Sequence, residues 1–149
     1  MGEQSMFNSN APAVQAHLTI TQSIIQRMAS NSASCKAWCI TLVSAILVIV
    51  ADKGKSNFAL LALIPTALFL ILDGYYLALE RDFRESYNSF VWKLHKGKLQ
   101  LQDVYYITPK GSICSLFGKL VSALLSFSVW PFYGTLALMI LLAKWLIIG

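Results

Sequence analysis

The sequence predicts an all-α fold, an integral membrane helical bundle with a transmembrane hairpin and cytosolic helical extensions. Composition is the first reason: the 149 residues are 56% hydrophobic and only 13% charged, about half the charged fraction of an average soluble domain. The second reason is that two apolar runs, 37–51 and 58–79, flank a short polar turn. Apolar helices cross a bilayer when they approach about 20 residues.

The N-terminal part predicts a flexible start followed by an amphipathic helix. Residues 1–11 lack a basic start and an apolar core, so they do not form a secretory signal, and we expect the N-terminus in the cytosol. Residues 12–34 are expected to form a cytosolic helix with Pro12 in its first turn. Apolar positions recur in it at spacings of four and three: Val14, Leu18, Thr21, Ile25 and Met28.

The predicted transmembrane hairpin covers residues 35–79. Its first run, 37–51, spans only about 22 Å as an α-helix unless the helix runs back through Ser34, so it is otherwise short or it thins the bilayer. Residues 52–57 form a polar turn, and the run 58–79 forms the second helix. Pro65 lies within that helix and predicts a kink, because proline removes a backbone donor.

The second helix is expected to continue out of the membrane as a cytosolic extension over 80–98. Glu80 and Arg84 are an opposite-charge pair at four-residue spacing, which stabilises a helix. A β-prone run at 104–107 predicts an extended connector within 99–112. The extension continues an apolar stripe that is suited to packing on the first helix: Phe83, Tyr87, Phe90 and Leu94.

Charge predicts the orientation of the hairpin. Residues 81–110 contain six Lys and Arg against two in the turn, so both hairpin ends are expected in the cytosol by the positive-inside rule. The net charge of +5 is spread along the loops, and direct DNA binding is not expected from charge alone. Charge and composition together therefore predict a membrane protein with its N-terminus in the cytosol.

The C-terminal region, 113–149, is apolar and contains one or two spans. The favoured interpretation is two short spans that meet near Pro131, with the C-terminus in the cytosol. The alternative is an interfacial helix and a single further span, with the C-terminus outside. Small residues recur every four positions and predict a helix-packing stripe: Gly118, Ser122 and Ser126.

Asp73 is the strongest functional signal, because a carboxylate facing lipid costs several kcal/mol. If the turn is centred between residues 54 and 55, antiparallel packing places Asp73 level with Lys36. The same register places Asp82 level with Arg27 and predicts a second pair. Asp73 could belong to a structural ion pair, a pore-facing ring or a coupling site. Alternatively, Tyr75 and Tyr76 mark the interface between membrane and cytosol and leave Asp73 in water.

Other polar groups carry weaker signals. Lys93, Lys96 and Lys98 could contact anionic lipid headgroups, a negatively charged ligand or a partner, or form a solvated face. The three cysteines, Cys35, Cys39 and Cys114, are expected to be buried reduced thiols. No metal site, cofactor or enzyme is expected, because His17 and His95 are far apart and no metal spacing or phosphate loop occurs.

Segments 17–28 and 72–84, with the words Asp-x-Tyr-Tyr and Glu-Arg-x-Phe-Arg, resemble small bacterial transmembrane effectors of antiphage defence of the SLATT type. The likeness covers residues 15–95, and the apolar C-terminal third departs from the two-span pattern. The resemblance implies a membrane-disrupting or pore-forming role in the bacterial inner membrane, held inactive until infection changes a nucleotide or nucleic-acid signal made by a partner enzyme. A partner nucleotidyltransferase supplies such a signal to the membrane effector of the Hailong system.

The sequence therefore predicts a homo-oligomeric membrane effector, with a tetramer as the working stoichiometry, that forms a gated ion-conducting or membrane-depolarising pore. Asp73 would line or brace the conducting region, and the two apolar stripes would form the gate-bearing cytosolic bundle. The alternatives are a small proton- or cation-coupled transporter and a non-conducting membrane subunit.

Overall fold

The computed structural model describes residues 10–109 and 113–148. Every regular element in these residues is helical, so the predicted all-α class is confirmed. Residues 1–9, part of the predicted flexible N-terminus, lie outside the described residues. The elements are α1 (Pro12–Lys53), a 3-10 helix (Ser56–Ala62), α2 (Leu63–His95), α3 (Leu101–Tyr105), α4 (Ile113–Leu124) and α5 (Trp130–Ile148).

Helix α1 is continuous over 42 residues, with Pro12 in its first turn as predicted. It passes through the small and polar stretch 29–34 without a break. Ser32 and Cys35 are buried there, since small side chains let the neighbouring helix approach closely. The helix ends at Gly54, whose φ of 62° is readily adopted only by glycine.

The second long helix differs from the prediction at its start. Residues 56–62 form a 3-10 helix, and the α-helix begins only at Leu63. Pro65 is therefore the third residue of α2, where backbone N–H groups have no intrahelical acceptor. The α-helix continues past Pro65 without a break. Helix α2 then runs to His95 past residue 80, as predicted.

The connector is partly helical rather than extended. Residues 101–105 form α3, because Gln100 and Asp103 make a capping box in which Asp103 Oδ2 accepts the Gln100 N–H at 3.0 Å. Side-chain capping of this kind satisfies free helix-terminal donors and overrides the β propensity of Val104 and Tyr105. Extended backbone begins at Tyr106 (φ −105°, ψ 115°).

Helices α4 and α5 form a third layer against α2 and run in one direction, with a break at residues 125–129. Helix α5 packs on the 3-10 helix. The favoured two-span interpretation of the C-terminal region is therefore wrong, because the region does not fold back. Successive contacts move along α2 towards its start: Lys119 with Asp82, Leu124 with Gly74 and Tyr133 with Phe69.

The bundle has two ends, each with its own core. We call the end with residues 52–57 the turn end and the end with Val14 and Val104 the open end. At the open end Val14, Phe90 and Val104 pack together, which confirms the predicted packing of the α1 and α2 stripes. Cys35 and Cys39 are buried and free, and the side chain of Cys114 lies outside the described part. The other cluster contains Cys39, Val43, Ala62, Val129, Tyr133 and Ile140.

The outer surface towards the turn end is apolar. Two helical segments are long and apolar enough to cross a membrane: α1 (Pro12–Lys53), and the 3-10 helix together with α2 (Asn57–His95). Trp130–Leu146, within α5, is a shorter apolar helix. Soluble monomers rarely expose contiguous apolar patches above a few hundred Å². Large apolar side chains are exposed on all three layers: Trp38, Val48, Ile49, Ile64, Leu68, Ile71, Met139, Trp145 and Leu146.

Candidate functional site

Asp73 lies at the contact between α1 and α2 and is fully buried, with 0% of its surface exposed. Lys36 Nζ lies 2.6 Å from Asp73 Oδ2, and the Ser32 hydroxyl donates a short hydrogen bond to Asp73 Oδ1. Lys36 Nζ also donates to Ser32 Oγ at 3.3 Å. The predicted contact between Lys36 and Asp73 is therefore present, and the alternative that leaves Asp73 in water does not match its burial.

The local sequence explains this geometry. Ser32 and Lys36 are four residues apart on α1, so both project from one face towards α2. Gly74 follows Asp73 on α2, and a Cβ added there would lie 2.6 Å from Leu124 Cδ2 of α4. The absence of a side chain at Gly74 thus lets α4 close over the layer formed by Ser32, Lys36 and Asp73, which we call the charged layer.

The second buried carboxylate has a different partner from the one predicted. Asp82 is 2% exposed, and its Oδ1 lies 2.5 Å from Lys119 Nζ of α4, whereas Arg27 is exposed on α1. Asp82 follows Asp73 by nine residues, about two and a half helical turns, so it faces the opposite side of α2. The pairing of Asp82 with Arg27 was predicted only from the positions of the two residues along the hairpin. It ignored the direction in which each side chain points from its helix, and it is wrong.

At the open end, His17 joins three elements. Its ring stacks on Phe90 with 4.0 Å between centroids and an interplanar angle of 13°. Its Nδ1 lies 2.9 Å from the carbonyl oxygen of Val104 in α3. A carbonyl oxygen only accepts hydrogen bonds, so Nδ1 carries the proton and donates it.

An ion pair beside His17 also holds α3 against α2. Lys93 Nζ lies 2.6 Å from Asp103 Oδ1. Partial burial acts to raise the pKa of Asp103. Hydrogen bonds from Lys93 and from the Gln100 N–H, together with the positive charge of Lys93, outweigh this effect and lower the pKa. Asp103 therefore stays ionised well into the acidic range.

A polar cleft of about 670 Å³ opens between α2 and α3 beside this ion pair. Hydroxyl, amide and charged groups line it without a net excess of either charge. The Ser86 hydroxyl on its wall donates to the carbonyl of Thr108 at 2.9 Å. The lining includes Ser86, Ser89, Lys93, Gln102, Asp103 and Tyr106.

The predicted surface charges fall into two groups. Arg84 Nε lies 2.8 Å from Glu80 Oε1, so this predicted helix pair is present. Lys93 is neutralised by Asp103, and Lys98 Nζ lies 5.9 Å from the Trp92 ring centroid. Lys96 caps the C-terminus of α2 and is exposed. The three lysines therefore do not form one anion-binding cluster.

Two members of the predicted small-residue stripe, Gly118 and Ser122, do not mark the close approach of α4 to α2 in the part of the chain that the structure describes. Gly118 and Ser122 are exposed, and a Cβ at Gly118 would meet nothing within 4 Å. The Ser126 hydroxyl instead accepts a hydrogen bond from Arg81 Nη2 at 2.8 Å. The close approach of α2 and α4 occurs at Gly74, so the prediction of a packing role for Gly118, Ser122 and Ser126 is wrong within one chain.

Four residues of these sites were missed or undervalued by sequence reasoning. Ser32 could have been found from its spacing of four before Lys36, and Asp103 from its capping-box spacing after Gln100. His17 carried no such signal, because its partner Val104 is 87 residues away and contributes only a backbone carbonyl. Lys119 could not be paired before the direction of α4 was known.

Within residues 10–109 and 113–148, no group of three or more His, Cys, Asp or Glu side chains lies close enough to hold a metal ion. Comparison with protein-family models, curated proteins and solved structures found no match to this chain. The functional argument therefore depends on the geometry of the charged layer and its surroundings.

Proposed function

We propose that this chain is a membrane effector that assembles as a homo-oligomer and conducts ions when its charged layer opens. The buried contact of Lys36 with Asp73 carries the proposal. Ionisable groups between apolar helices are expensive and are typical of ion pathways and their control elements. Because Asp73 is enclosed within one chain, it acts here as a brace of the closed state rather than as a pore-lining ring.

The surface supports residence in a membrane with the open end in the cytosol. Apolar side chains cover the outside towards the turn end. Of the 11 Lys and Arg residues within 10–109 and 113–148, only three belong to the turn end: Lys53, Lys55 and Lys144. The excess of basic residues towards the open end favours a cytosolic N-terminus by the positive-inside rule.

The proposed setting is bacterial antiphage defence, in which a nucleotide or nucleic-acid signal from a partner nucleotidyltransferase controls the effector. The likeness of residues 15–95 to SLATT-type effectors supports this. The polar cleft at the open end offers a surface on the cytosolic side at which control could act. Co-expression with a candidate partner, with phage survival and membrane potential as readouts, tests the setting.

Ion flux in liposomes tests the brace. Wild type, Asp73→Asn, Lys36→Met and the exchanged pair Lys36→Asp with Asp73→Lys are reconstituted at equal density. Breaking a buried ion pair costs about 3–5 kcal/mol. If the closed state alone contains the pair, the ratio of open to closed protein then rises by about a hundredfold to several thousandfold, at a factor of ten per 1.4 kcal/mol.

We expect flux to increase in both single variants and to return towards wild type in the exchanged pair. Asp52→Asn is the matched control, because it makes the same substitution at an exposed aspartate of α1, away from the charged layer. Loss of current in both single variants would instead place Asp73 in the conducting path. Unchanged flux from folded, inserted single variants would contradict the brace.

The same observation favours one second candidate, a proton- or cation-coupled transporter. A buried carboxylate beside a lysine can exchange a proton or a cation in a transporter. That function predicts flux that requires a transported substrate and abolition of coupling by Asp73→Asn. Silent, folded wild-type protein in every condition would favour the non-conducting membrane subunit.

A further inference from the structure

The apolar belt around the bundle has a distinct edge towards the open end. Outward-facing residues on α1 change from polar Ser34 to Trp38, which is 62% exposed. On α2 the change from apolar to charged lies between Tyr75 and Arg81. Both changes occur close to the charged layer.

The break between α4 and α5 lies at the same level. Phe127 is 92% exposed and Trp130 is 63% exposed. One turn after Trp130, the Tyr133 hydroxyl donates a hydrogen bond to the carbonyl of Phe69, four residues before Asp73. Together Trp38, Tyr75, Phe127 and Trp130 surround the bundle near the charged layer, and we call them the aromatic collar. Trp and Tyr are enriched where a membrane meets water.

The second edge lies near the turn end. On α1 the exposed apolar Ile49 is followed by the exposed Asp52. On α5, Trp145 is 71% exposed next to Lys144. On the 3-10 helix Phe58 is exposed, with Lys55 Nζ 5.9 Å from its ring centroid. Aromatic and basic side chains thus mark this edge as well.

The two edges are too close together for an ordinary bilayer. From Trp38 to Ala51 the helical rise gives about 20 Å, from Trp130 to Trp145 about 22 Å, and from Phe58 through the 3-10 helix to Tyr75 about 27 Å. The hydrocarbon core of a typical bilayer is about 30 Å thick. Tilting would shorten the spanned distance further, so it cannot compensate.

We infer that the protein binds lipid as a short-span anchor that thins the bilayer around it, with the membrane–water interface at the charged layer. A span shorter than the hydrocarbon core thins the surrounding lipid. The inference depends on the proposed membrane residence. It places α4 outside the hydrocarbon, where its Lys119 meets Asp82, and it places Lys36 and Asp73 at the boundary between lipid and water.

Depth-dependent quenching of tryptophan tests the inference directly. The chain has four tryptophans, so single-tryptophan variants are made by replacing the other three with Phe. Each is reconstituted in dioleoyl phosphatidylcholine with brominated lipid carrying bromine either near the headgroup or near the chain ends. Trp92 is the internal control, because it is exposed on the part of α2 beyond the aromatic collar.

We expect Trp38, Trp130 and Trp145 each to give a ratio of shallow to deep quenching above one, and Trp92 to be quenched by neither lipid. A ratio below one for Trp38 and Trp130, or for Trp145, would overturn the thinning, because an unthinned bilayer buries at least one edge. Quenching of Trp92 equal to that of Trp38 would overturn the interface position. Absence of quenching at all four positions would instead overturn membrane residence itself.

Discussion

Each of the two buried aspartates of α2 is neutralised by a lysine from a different neighbouring helix. Lys36 of α1 meets Asp73, and Lys119 of α4 meets Asp82 on the opposite side of α2. An unpaired buried charge is costly, so each pair penalises any arrangement that separates the two helices. Together the two pairs determine which helices contact α2 and how α2 is rotated about its own axis.

The lowered pKa of Asp103 predicts how docking of α3 depends on pH. A carboxyl whose folded pKa lies below its ordinary value of 3.8 stabilises the folded state above that value. This contribution is lost as the pH falls through the lowered folded pKa. We expect the protection factors of residues 99–109, which are the intrinsic exchange rates at each pH divided by the observed rates, to fall in this acidic window in wild type. In Asp103→Asn, exchange should be faster at neutral pH and should lack this acid-dependent step.

Lys93→Met is a second control for this local readout, because it removes the partner that lowers the pKa. Its acid-dependent step should move to higher pH, towards the ordinary value for Asp. Identical profiles for wild type and Lys93→Met would contradict the assigned cause.

Residue-level prediction succeeded where position along the hairpin was sufficient and failed where rotation mattered. The register placed Lys36 beside Asp73 correctly, since the turn fixed the level of each residue. The same register failed for Asp82, because nine residues turn a helix by about half a revolution beyond two turns. His17 was missed because a backbone carbonyl carries no sequence signal.

At the scale of elements, Gly74 controls the contact of α2 with α4. Any side chain there overlaps Leu124, so we expect Gly74→Leu to lower the free energy of unfolding by about 1–3 kcal/mol through overpacking. Thermal unfolding in one detergent measures the effect. Gly118→Leu is the matched control, because the same side chain meets open space on α4 and improves helix propensity.

Equal destabilisation by Gly74→Leu and Gly118→Leu would mean that overpacking at Gly74 is not the cause. An effect confined to Gly118→Leu would show that the exposed face of α4 is covered in the assembly. In that case the predicted role of Gly118, Ser122 and Ser126 in helix packing would apply between chains.

The helix boundaries show why some elements were predictable and others were not. The stripe from Val14 to Met28 repeats with helical spacing, so its packing followed from the sequence. The start of α2 did not follow from the sequence, since apolar composition does not distinguish a 3-10 helix from an α-helix. The position of Pro65 within α2 depends on where that helix starts. The direction of α5 depends on long-range contacts such as that between Tyr133 and Phe69.

For the whole molecule, the direction of α4 and α5 places residues 10 and 148, where the described structure begins and ends, at opposite ends of the bundle. The N-terminal part of α1 lies at the open end, and the end of α5 lies near the turn. In a membrane this arrangement predicts that residues near position 146 share a side with the turn. It also predicts that they lie opposite to residue 10.

Cysteine labelling of intact cells tests this topology. In a background without native cysteines, we expect Lys55→Cys and Leu146→Cys to react with a membrane-impermeant maleimide. Asn10→Cys and Asn88→Cys should react only after the membrane is opened. Labelling of Leu146→Cys with the pattern of Asn10→Cys would instead support the C-terminal region crossing twice.

The unbroken course of α1 gives the molecule a mechanical property. The segment from Pro12 to Lys36 is a continuous helix about 36 Å long that reaches the charged layer at Lys36. Swinging it by about ten degrees would move its far end by about 6 Å, given that length. Conversely, if the far end of this segment were displaced by about 6 Å, Lys36 would move much less relative to Asp73. The force on the contact between Lys36 and Asp73 would then be larger than the force applied at the far end. A weak push on the remote end can thus be concentrated on a contact too strong to be opened locally.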